Sequence, residues 1–140
     1  MKLTLELNTK QLGVLQAALD LYSRTHMGQY TDLPNSKNEF TTSHEDEQVI
    51  KSILFPELHA NGYYGIHSDK ISDSARVAWD LQQVIRYQWS WLRMGKIPGK
   101  DQRDWHGENS MMGVSYDEPR QSSETEPLAK ITLDNVERWK

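Results

Sequence analysis

The chain contains no cysteine among its 140 residues. That excludes a disulfide framework and any thiolate metal site, and it fits a cytosolic setting. Excess positive charge is also missing: the net charge is -4 and the pI lies near 5.7. A general nucleic-acid coat or a binder of anionic membranes would need the opposite balance. No apolar run approaches the ~20 residues of a membrane span. The opening "MKLTLELNTK" alternates in polarity, which is not the pattern of a signal peptide. No internal repeat is present. His26, His44, His59, His67 and His106 do not stand in a metal-ligand spacing such as H-E-x-x-H. No glycine-rich phosphate loop follows a predicted strand, so a P-loop or dinucleotide fold is not expected. Neither a metal nor a cofactor is expected.

What is present reads as one domain over 1–140. "KLTLEL" places Leu3, Leu5 and Leu7 on one side, the pattern of a half-buried strand. Asn8-Thr9 supplies an N-cap for a helix over Lys10–His26, with Leu12, Leu15, Leu19 and Tyr22 as its core stripe and Gly28 as its stop. Residues 31–60 read as a polar loop and a short acidic helix. Thr42 or Ser43 caps that helix, Glu45–Glu47 suit its positive end, and Val49, Ile50, Ile53 and Leu54 form its apolar side. Asp73 caps a longer helix reaching about Met94, with Val77, Leu81, Val84, Ile85, Trp89 and Leu92 as its buried stripe. Residues 96–127 form an irregular, lid-like segment, and "LAKITLDNV" resumes alternation. The expected fold class is α+β, with a small antiparallel sheet of N- and C-terminal strands packed on two main helices and a short one.

Residues 70–105 hold seven Lys or Arg against four Asp, with Tyr87, Trp89, Trp91 and Trp105 among them. Arginine pairs bidentately with phosphate and aromatic rings stack on bases. Arg76 falls in the first turn of the long helix, where free N–H groups favour anions. It also lies off the apolar stripe, so its loss is expected to leave folding intact. A solvated basic face, with Trp89 in the core, explains the same residues. His44-Glu45-Asp46 reads as capping, and Ser68-Asp69 and Ser72-Asp73 as turn and cap residues.

"LYSRTHMGQY" after an amphipathic first helix, followed by "YYGIHSDKISDSARVAWDLQQVIRY", resembles a set of small bacteriophage proteins, the Thoeris anti-defence sponge family of the first type. The resemblance covers the N-terminal strand and helix and roughly residues 62–87; the acidic insert and the tail lie outside it. It implies a non-enzymatic protein of the host cytoplasm that sequesters a cyclic ADP-ribose isomer. It also implies a homodimer or higher homo-oligomer with pockets near the subunit interface, some such proteins also taking cyclic oligonucleotides. No nucleic-acid polymer or membrane is implied as partner. Arg24 and Arg76 sit in the matching motifs, and Tyr22 and Tyr64 are wall candidates, Tyr22 also suiting the core. Trp105, Asn109 and Arg120 are added from the tail by chemistry alone. No catalytic residue is implied. Two other readings stand beside this one: a nucleotide or phosphodiester hydrolase using His67, His106 or the Asp-rich turns, and an inhibitor docking Glu45–Glu47 on a host protein.

Overall fold

The computed structural model describes residues 1–30, 44–108 and 110–133. Helix α1 spans Thr9–His26, α2 His44–Leu54 and α3 Asp73–Arg93, with a 3-10 turn at Val114–Tyr116. Among the described residues there is no strand, and this overturns the expected α+β class and its sheet. The physical reason is that a strand leaves its backbone groups unsatisfied without a neighbour. Residues 1–8 and 128–133 carry the alternation but form no ladder, and Leu3 and Leu5 are exposed.

Helix α1 begins as the sequence dictates. Asn8 accepts from the Gln11 backbone N–H at 2.9 Å while the Gln11 side chain accepts from the Asn8 N–H at 2.9 Å, a reciprocal capping box. Gly28 has φ of 78°, a conformation that favours glycine, and a Cβ there would stand 2.7 Å from Leu58 Cδ1, so that side chain would also have to shift. Leu12, Leu15 and Leu19 are half-buried and Tyr22 is exposed, so the predicted stripe is only partly covered.

The apolar side of α2 is a second correction: Val49, Ile50, Ile53 and Leu54 are exposed rather than packed. Its predicted caps, Thr42 and Ser43, lie outside the described residues. Lys51 is the residue of α2 that turns inward. Its ammonium is buried and donates to Ala60 O at 2.7 Å and to Gly62 O, so it ties the helix to the following turn. Burial lowers its pKa.

Ser72, not Asp73, caps α3: its side chain accepts from the Ala75 N–H. The helix buries a broader surface than one stripe. Ala75, Ala78, Gln82, Ile85 and Leu92 are covered, and so are Arg76, Asp80, Val84 and Trp91, whereas the predicted Val77, Leu81 and Trp89 are half-buried. The helix is buried on two flanks because α1 packs on it and the tail folds back over it. Met27, Ile71 and Ala75 form a small core, with Tyr64, Ile66 and Trp79 packed against it.

Candidate functional site

The tail from 122 to 125 lies along α3 as a strap held by two carboxylates. Asp80 is buried and takes four hydrogen bonds from two residues: Ser122 N–H at 2.9 Å to each oxygen, Ser122 Oγ at 2.5 Å and Ser123 N–H at 2.9 Å. Asp73, two helical turns earlier and on the same side of α3, accepts from Ser123 Oγ at 3.0 Å, Glu124 N–H at 3.0 Å and Thr125 Oγ1. The Thr125 hydroxyl, then the Glu124 N–H, hold the Asp73 pKa below its usual value. The strap therefore runs antiparallel to α3.

Upstream of the strap, Arg103 organises the loop. It donates to Met111 O at 2.8 Å and Gly113 O at 3.1 Å, pairs with Asp117, and lies 3.8 Å over the Trp105 ring. Met111 is fully buried, and Trp91 donates to Tyr116 O at 3.4 Å.

Between α3 and this tail is an open cavity of about 640 Å³. One wall is Ile66, His67, Trp79 and Gln83; the other is Val114, Asp117, Glu118, Pro119 and Arg120, with Ser122 at its base. It gathers an aromatic face, an amide, a guanidinium and two carboxylates. Such a set can stack a ring, grip an anion and accept from hydroxyl groups. Its volume suits a small ligand rather than a polymer.

Of the seven residues singled out from sequence, Arg120 lines this cavity. Arg76 stands behind it. Its side chain is buried and donates to Ile66 O at 3.1 Å, Ser68 O at 2.9 Å and Glu124 at 3.0 Å, so it braces the cavity wall through Ile66. Arg24 is half-buried at the end of α1, bound to both oxygens of Asp20 at 2.9 Å and to Gln29 at 2.9 Å. Tyr22 shares a hydrogen bond with Ser74 at 3.3 Å and packs its ring on His26. Tyr64 donates to Glu57, which raises the tyrosine pKa and lowers that of the carboxylate. Trp105 lies outward under Arg103, and Asn109 falls outside the described residues. Arg24 and Gln29 are thus half-buried in one local network, while His26 is exposed with its ring against Tyr22.

Sequence reasoning passed over Trp79, Gln83 and the pair Asp117-Glu118. Trp79 and Gln83 lie one turn apart on α3, a spacing that puts two side chains on one face. Among the described residues no group of three or more His, Asp or Glu stands ready to hold a metal, and no helix is long and apolar enough to cross a membrane. No family model matches the chain, and no curated protein or solved structure matches it either.

Proposed function

We propose that the chain is a non-enzymatic sponge of the host cytoplasm. It binds a nucleotide-derived signal, a cyclic ADP-ribose isomer in the first instance, and holds it without cleaving it. The observation that carries this reading is the cavity between α3 and the tail, which combines Trp79, Gln83, Arg120, Asp117 and Glu118. Trp79 offers a platform for adenine, Arg120 a partner for the pyrophosphate, and the carboxylates acceptors for ribose hydroxyls. The resemblance of "LYSRTHMGQY" and "ARVAWDL" to the sponge family supports the same reading, and Trp79 lies within the second motif. Cyclic oligonucleotides are a secondary ligand class on that resemblance.

The lid role of 96–127 narrows under this reading. The strap at 122–125 anchors one end, so closure belongs to the stretch before it, which carries Asp117, Glu118 and Arg120. A homodimer or larger assembly belongs to the same proposal. Leu3 and Leu5 are 83% and 72% exposed, and Val49 and Ile53 on α2 are exposed too, apolar side chains that contact with a second copy would cover.

The test is to incubate the protein with a cyclic ADP-ribose isomer, remove free ligand, heat the complex and analyse what is released by mass spectrometry. Unchanged ligand in stoichiometric amount is expected. A cleaved product makes the chain a hydrolase, and absence of depletion removes the nucleotide reading. Arg120→Ala should weaken binding by about 1.5–3 kcal/mol, the range for a hydrogen bond to a charged group. Its stability should move by less than about 0.5 kcal/mol, because the residue is exposed. Calorimetry and urea unfolding check the two halves.

A further inference from the structure

We infer that Gln83 is a specificity determinant of the cavity, an amide held so that it offers a donor and selects a ligand by an acceptor on its ring edge. This rests on the nucleotide reading above and adds which face of the base is recognised.

The argument starts from Arg86, three residues on along α3. Its guanidinium donates to the Gln83 carbonyl oxygen. Arginine has five donors and no acceptor, so only the oxygen of the amide can face it. That contact fixes which end of the amide is oxygen and which is nitrogen. The nitrogen then donates to Gln82 Oε1 at 2.8 Å, and Gln82 is itself buried. One N–H and one of the oxygen's two lone pairs are therefore committed. A donor approaching the other lone pair from the cavity meets the positive charge of the guanidinium beside it. What the amide holds open for a ligand is its second N–H.

Arg86 is half-buried beside Asp20 and Arg24 at the α1–α3 contact: burial lowers its pKa, Asp20 raises it, and Arg24 lowers it. Both Trp79 and Gln83 line the cavity, one helical turn apart. A ring stacked on Trp79 therefore turns an edge towards the amide. An adenine carries a ring-nitrogen acceptor on each of its edges, N1, N3 or N7, and an N–H donor pairs with the one that faces it while gaining nothing from an exocyclic amine.

The probes are a cyclic ADP-ribose isomer, its 1-, 3- and 7-deaza analogues, each replacing one acceptor nitrogen by C–H, and its 6-H analogue, which lacks the amine. Each is titrated by calorimetry against the wild-type chain and Gln83→Met, which keeps the volume and removes the hydrogen bond. One deaza analogue should lose about three- to tenfold against wild type, the scale of a single neutral hydrogen bond. The same analogue should lose nothing against Gln83→Met. The 6-H analogue should keep the same ratio to the parent in both proteins. Gln83→Glu serves as the second variant: it keeps the Arg86 contact as an ion pair, presents an acceptor, and should lose the same ring-nitrogen coupling. Coupling of Gln83 to the amine, or to none of the analogues, overturns the inference while leaving the sponge intact. A parent ligand that fails to bind wild type overturns the sponge reading and the inference with it.

Discussion

Leu3 and Leu5 stand exposed near one end of the chain, whereas Ser122 and Ser123 lie buried near the other. Apolar residues sit in water and polar residues in the interior, the reverse of the usual sorting. The two regions differ in what each can find within one chain. The strap finds two carboxylates on α3, and every short polar side chain in it gains a partner at little entropic cost. The N-terminal segment finds no neighbouring strand and no facing layer, so its alternation stays unused among the described residues. Hydrophobic pattern reports what a segment needs, and hydrogen-bonding partners decide what it gets.

The strongest way to break this comparison is to remove the carboxylate under the strap. Asp80→Ala leaves the buried Ser122 and Ser123 N–H groups without their acceptor. Stability should fall by about 3 kcal/mol, and urea unfolding measures it. A loss below about 1 kcal/mol would mean that the strap is ordered by something else. Arg76→Ala comes next. It strips donors from Ile66 O and Ser68 O, so a loss of about 2 kcal/mol is expected. The sequence placed Arg76 off the apolar stripe and so predicted no effect on folding; an unchanged midpoint would reinstate that view. The smallest effect belongs to the other end. Leu3→Glu with Leu5→Glu should change unfolding of the dilute chain by less than about 0.5 kcal/mol, because both side chains are already in water. The same pair should dissociate any oligomer seen by light scattering at micromolar concentration. A large loss in the dilute chain would show that the segment is packed after all.

Local signals were legible in the sequence. Asn8, Gly28 and the 3.6-residue spacing gave α1 to within a residue, and Gly95, with φ of 67°, follows α3 as expected. These features depend on neighbours three or four positions away. The sheet was not legible, since whether an alternating segment pairs depends on a partner elsewhere in the chain. The α3 stripe went astray for a related reason. Arg76, Asp80 and Gln82 are polar, and their partners lie off the apolar pattern: Ser122 and Ser123 of the returning tail for Asp80, Ile66, Ser68 and Glu124 for Arg76, and the neighbouring Gln83 for Gln82. In the candidate site, Arg120 was chosen by chemistry and lines the cavity, while Trp79 was passed over beside more conspicuous tryptophans. Arg24 was singled out from a matching motif and Tyr64 as a wall candidate, but each is engaged by a residue within seven positions, Asp20 and Glu57.

The strap also bears on the order in which the molecule assembles. Its hydrogen bonds to Asp73 and Asp80 join residues 42 to 52 positions apart. Closing loops of that length costs chain entropy before any contact returns it, and the α1–α3 contact carries a similar cost, since Tyr22 and Ser74 stand 52 positions apart. During synthesis α3 leaves the ribosome with both carboxylates hydrated, and the serines that will dock on them emerge about forty residues later. The cavity, which needs the tail as its second wall, therefore cannot exist until those serines have docked.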